Sequence, residues 1–185
     1  MNVHHPQSKI WTADEFLRWA EGREGKYEFV GGNVLMMTGG TRRHAELCGR
    51  LYLLLHGSAS ALGLGIAVEW GVRTFAGIRY PDVVIFHRDG PGEELATTEP
   101  VFTAEILSPS SLAIDFNEKA AEYTAFSSLR HYLVLAQDEP RVWVWSRNGE
   151  GRFGPPEMIA GREETVELPG LTTSLPLADL YQGIA

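Results

Sequence analysis

The stretch Val101-Phe102-Thr103-Ala104-Glu105-Ile106-Leu107 is an apolar run in which Glu105 is the only charge. Such a run reads as a buried strand. An ionised carboxylate taken into it costs several kcal/mol unless it is paired, metal-bound or neutralised. Any fold this chain adopts must therefore give Glu105 a partner. Upstream, Tyr80-Pro81-Asp82-Val83-Val84-Ile85-Phe86 repeats the pattern, with Asp82 opening a second apolar run after a proline. Packing alone would select against both acids, so together they mark a site.

The 185 residues fit one domain, 1–185, with a sizeable core. No apolar run approaches the roughly 20 residues of a membrane span, and the longest, Leu51 to Leu55, is far too short. Met1-Asn2-Val3-His4-His5-Pro6 shows no basic region followed by an apolar one, so no signal peptide is expected. One cysteine, Cys48, excludes an internal disulfide framework and fits a cytoplasmic protein. The net charge of -8 is the wrong sign for indiscriminate binding to nucleic acid. A nucleic-acid role then needs a local basic patch, or metal ions that offset the acidic charge.

Thr12 and Glu15 form a capping box for a first helix that carries Phe16, Leu17, Trp19 and Ala20 and stops near Gly22 or Gly25. Lys26 to Val30 alternates as a strand, with Tyr27 and Phe29 on one side and Glu28 and Val30 on the other. Gly31-Gly32 turns the chain into a second strand, Asn33 to Met37. Thr41 caps a long helix to about Ala61, with Cys48, Leu51 and Leu55 as its buried stripe and His44 on that stripe near the start. Ile66 to Phe75 and Pro81 to Phe86 read as two strands joined by Ala76-Gly77. A polar loop, Asp89 to Thr98, leads to the Glu105 strand, which Ser108-Pro109-Ser110-Ser111 ends. Asp115 to Phe126 is a third helix. Tyr132 to Ala136 and Val142 to Trp145 make a hairpin. A weak strand near Val166 to Leu168 and a short helix, Leu177 to Leu180, close the chain. This order implies an α/β or α+β domain with a mixed central sheet flanked by helices.

On the third helix Phe116, Ala120, Tyr123 and Phe126 share one face, and Lys119 falls between Tyr123 and Phe126 in angle. Glu118 and Glu122 form an adjacent acidic stripe. Taken singly, each polar candidate has a plainer role. Glu105 could pair structurally with Lys119 or an arginine. Asp82 could be a strand-start residue after Pro81. Lys119 could snorkel to solvent. His44 could donate to a backbone carbonyl, and Glu28 could be the exposed half of an amphipathic strand. Cys48 reads as inert packing. Two acids in apolar strands with an inward lysine are far rarer than any one of them. Such a set suits a hard divalent cation, which takes one or two carboxylates plus waters and a substrate phosphate. The lysine can orient an attacking water or stabilise developing charge.

The segments Tyr27-Glu28-Phe29-Val30-Gly31-Gly32, Thr41-Arg42-Arg43-His44, Tyr80-Pro81-Asp82-Val83, Ala104-Glu105-Ile106-Leu107-Ser108-Pro109-Ser110, Glu118-Lys119 through Tyr123, and Arg130-His131-Tyr132-Leu133-Val134 carry a resemblance. Together they resemble the PD-(D/E)XK nuclease superfamily, and within it the bacterial restriction-endonuclease-like branch called here the Uma-type family. The resemblance covers about residues 12–181. It implies a restriction-endonuclease-like fold and hydrolysis of DNA phosphodiester bonds with Mg²⁺ or Mn²⁺. It implies that Asp82 and Glu105 bind the metal, that Lys119 is the catalytic lysine, that Glu28 is a further acid near the metal, and that His44 lines the site. Leu107 stands where the superfamily's usual motif has its lysine, and Asn33 where the branch usually has an acid. Two functional classes follow: a metal-dependent endonuclease, or a catalytically silent nucleic-acid-binding or regulatory domain that retains the fold. A homodimer is expected, because enzymes cutting both strands commonly pair two sites about a twofold axis. Trp70, Trp143 and Trp145, which read as edge aromatics, add to that expectation, although core packing is the commoner fate of any single tryptophan.

Overall fold

A computed structural model describes residues 11–37, 39–90, 92–108 and 111–184. The N-terminal Met1–Pro6 segment, and the Pro109-Ser110 part of the turn after the Glu105 strand, lie outside the described residues. Helix α1 is Ala13–Ala20, and Thr12 and Glu15 close the capping box expected from their spacing. It packs Phe16 and Leu17 onto Phe29 and Ile78. Strands β1 (Lys26–Val30) and β2 (Asn33–Met37) form a hairpin whose two-residue loop, Gly31-Gly32, has φ of 55° and 84°. Positive φ at both positions is what a type I′ turn demands, and glycine meets it without strain. Helix α2 is Arg42–Ala61, capped by the Thr41 hydroxyl, with Leu47, Leu51, Leu55 and Ala59 buried.

The region expected as two long strands is four short ones: β3 (Gly65–Val68), β4 (Gly71–Arg73), β5 (Gly77–Arg79) and β6 (Val83–Phe86). The chain breaks at Glu69, whose φ is +49°, and Trp70 lies between strands rather than within one. A left-handed non-glycine residue is invisible to a hydrophobicity pattern, yet here it sends the chain from one sheet to another. Next come β7 (Ala96–Thr97) and β8 (Pro100–Ile106), the Glu105 strand, buried throughout. The third helix departs from the expectation in form. Ile114–Lys119 is a π-helical turn, and α3 proper is Ala120–Thr124, ending before Phe126. Then follow β9 (His131–Leu135), β10 (Arg141–Ser146), β11 (Glu157–Ala160), β12 (Thr165–Leu168), β13 (Thr173–Pro176) and α4 (Leu177–Leu180). The sequence pattern does not signal β11 or β13. Both lie at sheet edges, and β11 has little buried surface.

The central sheet has six strands in the order β11-β10-β9-β8-β6-β3, with β8 and β9 parallel and the other pairs antiparallel. A five-stranded sheet, β2-β1-β5-β4-β7, stands beside it, and β12-β13 form a small third sheet. One face of the central sheet packs Val83, Ile85, Phe102, Ala104, Leu133 and Leu135 against α2 and α4. The other packs Val84, Tyr132, Val134 and Trp145 against Ala120 and Tyr123 of α3. Each fully buried leucine on α2 contributes roughly 2 kcal/mol of transfer free energy. The fold is thus an α+β domain with helices on both faces of a mixed sheet. No helix among the described residues is long and apolar enough to cross a membrane.

His131, at the start of β9, is 2% exposed. Its Nδ1 lies 2.9 Å from Ser146 Oγ, and Nε2 accepts from the Gly170 N–H at 3.2 Å. A ring that accepts at Nε2 is neutral. Burial, helped by Arg130, holds its pKa down at about 4. In the unfolded chain it lies near 6.5. Between these values the unfolded state binds the extra proton. Stability is therefore fully present above about pH 6.5 and falls as the pH drops toward 4, by about 3 kcal/mol in all. Urea unfolding at pH 7.5 and 4.5 checks this: His131→Asn should lose less stability on acidification than the wild type. Equal losses would rule the effect out.

Candidate active site

Antiparallel pairing aligns Val83 with Ala104, and continuing that register by one residue sets Asp82 opposite Glu105. Residues directly opposite share a face, with Cβ atoms about 5 Å apart. The Ile106 N–H donates to Asp82 Oδ2 at 2.6 Å, which ties the two strand ends together. On the same face, Lys119 at the end of the π-turn places Nζ 2.8 Å from Glu105 Oε2, 3.3 Å from Asp115 Oδ1 and 3.9 Å from Glu28 Oε1. The Tyr123 hydroxyl donates to Glu105 Oε1 at 2.9 Å. His44, in the first turn of α2, sets Nε2 3.2 Å from Asp82 Oδ2. The Cys48 thiol donates to the Asp82 carbonyl.

Each candidate from the sequence therefore has a definite place. Glu28, Glu105 and Lys119 converge directly. Asp82 joins them through the strand register, and His44 joins through Asp82. Glu28 is not the exposed half of its strand: it is 6% exposed and faces Arg79 and Lys119. Asp115, Arg79 and Glu122 were not signalled as site residues. Asp115 is buried four residues before Lys119. Arg79 is buried at 1% exposure and donates to Glu122, Glu28 and Glu118. Arg79 carries the same anomaly as Glu105, a charge in the run Gly77-Ile78-Arg79-Tyr80, and that was the readable clue.

The cluster holds more acids than cations. Five buried acids, Glu28, Asp82, Glu105, Asp115 and Glu122, meet two buried permanent cations, Arg79 and Lys119. Burial pushes the Glu105 carboxyl well above the usual range. Lys119 pulls against that rise, while Asp115 and Asp82 add to it. Burial acts to lower the Lys119 ammonium, but Glu105, Glu28 and Asp115 outweigh it and keep it charged. Burial raises Asp115 also. His44 is raised, chiefly by its hydrogen bond to Asp82. Cys48 is pushed up to about 11 by burial, so its thiol is unreactive.

Among the described residues no group of three or more His, Cys, Asp or Glu side chains is placed to hold a metal ion. The donor set fits a different kind of site. Two carboxylates on neighbouring strands, with further acids beside them, suit a Mg²⁺ that takes its remaining ligands from water. A cavity of about 890 Å³ lies at the far end of β6, beside Trp70, Phe86 and His87, and none of the five acids lines it. Its size therefore says nothing about the chemistry.

A mixed sheet flanked by helices, with charged residues gathered where β6 begins and β8 ends, defines a restriction-endonuclease-like protein. The crystal structure of "a putative nuclease belonging to DUF820" from Anabaena variabilis matches this fold with a TM-score of 0.73. The match covers 95% of this chain and 99% of that one at 16% identity, which speaks to the fold alone. The chain belongs to the Uma2 family, "Putative restriction endonuclease", whose family model matches residues 13–178. Two Synechocystis proteins, both named only as uncharacterized, are similar throughout. One is 27% identical over 164 residues, covering 85% of this chain and 92% of its own length. The other is 26% identical over 195 residues and the whole of both chains.

Proposed function

We propose that this protein is a Mg²⁺- or Mn²⁺-dependent endonuclease that hydrolyses DNA phosphodiester bonds. The observation that carries the reading is the register of Asp82 opposite Glu105, with Lys119 Nζ 2.8 Å from Glu105. Membership of a family described as nuclease-like supports it. In this reading Asp82 and Glu105 hold the cation. When bound, the cation would polarise the phosphoryl oxygens and offset charge on the departing one. Lys119 donates from a charged ammonium to a phosphate oxygen or to the attacking water. Tyr123 anchors Glu105, and His44 anchors Asp82. Glu28 adds a third carboxylate beside Lys119, after Glu105 and Asp115.

One observation favours the silent-domain alternative: both Glu105 oxygens already have partners, Lys119 and Tyr123. Plasmid nicking with Mg²⁺ or Mn²⁺, wild type beside Lys119→Ala, separates the two. The variant should be slower by roughly a hundredfold or more. No cleavage of any DNA by the wild type would put the binding-domain reading ahead. Millimolar Mn²⁺ should also raise the melting temperature, because a ligand bound only by the folded state stabilises it.

A twofold dimer belongs to the same proposal, on the ground that a duplex presents two strands. The tryptophans do not supply the motive expected of them. Trp143 packs on Phe116 at 5.0 Å, Trp145 on Tyr132 at 5.0 Å and Trp70 on Phe86 at 4.3 Å, all within one chain. Light scattering at tens of micromolar should give twice the chain mass of 20.5 kDa. A mass of one chain would remove the dimer from the proposal.

A further inference from the structure

We infer that Arg79 is a positioning residue: it holds Glu28 back so that the Lys119 ammonium is given to Glu105. The catalytic consequence rests on the nuclease reading above, but the positioning itself does not. Arg79 Nε and Nη2 grip both oxygens of Glu122, at 3.0 and 2.5 Å. Nη1 donates to Glu28 Oε2 at 3.2 Å, and Nη2 also reaches Glu118 Oε2 at 3.3 Å. The Thr74 hydroxyl donates to Glu122 Oε2 at 2.7 Å and completes its anchorage. One guanidinium on the five-stranded sheet thus grips the helix that carries Lys119 and a carboxylate of its own sheet.

Glu28 is held at both oxygens. Arg79 takes Oε2, and the Tyr80 N–H donates to Oε1 at 3.3 Å. Its approach to Lys119 stops at 3.9 Å, beyond a hydrogen bond, while Glu105 sits at 2.8 Å. Three carboxylates face one ammonium, Asp115 at 3.3 Å among them, and Arg79 decides between Glu28 and Glu105. A lysine could not replace it. An ammonium is a point donor and lacks the planar fork that spans Glu122 and Glu28 together. Without that grip only the Tyr80 N–H holds Glu28, which can then swing onto Lys119 and draw it off Glu105. A displacement of about 1 Å at a reacting group is enough to cost roughly a hundredfold in rate.

The test reads Lys119 directly. In ¹⁵N-lysine-labelled protein, a buried, hydrogen-bonded ammonium gives a slowly exchanging ¹H–¹⁵N signal, assigned by its loss in Lys119→Met. Arg79→Met/Glu122→Met removes the buried charges as a pair and leaves Glu28 unclamped. Its Lys119 signal should move or broaden. Adding Glu28→Gln removes the competing carboxylate and should bring the wild-type signal back. Arg79→Lys, which keeps the charge without the fork, should show the same displacement. On plasmid DNA, the Arg79→Lys variant should lose roughly a hundredfold in kcat with KM little changed. An unaltered Lys119 signal in the variants, or no rescue by Glu28→Gln, would overturn the positioning role. So would a wild type that shows no protected ammonium. A wild type that cleaves no DNA yet shows the displacement and rescue would instead sink the nuclease reading and leave the role of Arg79 standing.

Discussion

Glu105→Gln is expected to abolish metal-dependent cleavage while leaving the fold intact. A neutral amide in place of the carboxylate removes one of two anionic groups assigned to the cation. The transition-state stabilisation at stake is several kcal/mol, a loss on the order of a thousandfold. The fold should tolerate the change because Lys119 is not stranded: Asp115 at 3.3 Å and Glu28 at 3.9 Å still face it. The amide oxygen can still accept from Tyr123. In the absence of metal the variant should match the wild type in stability or exceed it, since a buried charge among like charges has gone. Asp82→Asn should behave alike, because its amide oxygen can keep the Ile106 N–H bond. Both variants should lose the melting-temperature gain from Mn²⁺. Plasmid nicking and thermal melts on the same samples decide the matter. Cleavage that survives Glu105→Gln would place the activity elsewhere.

Arg79→Ala is expected to produce the largest loss of stability of any single substitution in the site. It strands Glu122 and Glu28, both buried, with their main cation gone. Breaking a buried ion pair by removing one partner costs about 3–5 kcal/mol. Against a total stability of roughly 5–15 kcal/mol, that is a large fraction. For a domain of this size the melting temperature should fall by on the order of 10 °C. Arg79→Met/Glu122→Met should recover most of the loss, because apolar groups of similar volume often replace a buried pair without penalty. Equilibrium urea unfolding of Arg79→Met, Glu122→Met and the double variant gives the coupling energy. A double variant as unstable as Arg79→Ala would show that the cost lies in the stranded Glu28 rather than in the Arg79–Glu122 pair.

Several parts of this protein were readable before folding. The apolar run around Glu105 required a buried strand, and β8 is buried along its length. The Thr12–Glu15 and Thr41 caps and the Gly31-Gly32 turn are local devices, and local devices are written in adjacent residues. Lys119 was legible as inward-facing even though its helix opens into a π-turn there. A spacing of four residues keeps Lys119 close to Asp115 and Tyr123 in either winding.

The tertiary structure decided what partners these groups meet. Arg79 bonds to residues 39 to 51 positions away in the chain, on β1 and on the helix after β8. No periodicity carries that information. The Asp82–Glu105 pairing depends on the register of β6 against β8, and Glu28 reaches Lys119 only because a second sheet stands beside the first. The break at Glu69, which lets the chain change sheets, rests on one positive φ at a non-glycine residue. Trp143 and Trp145 looked like interface aromatics and found Phe116 and Tyr132 within the chain instead. The sequence alone determined that buried charge had to be accommodated, because the burial of a carboxylate has a local cost. Which cation answers it is a matter of distance, and distances between remote residues exist only once the sheets have paired and packed.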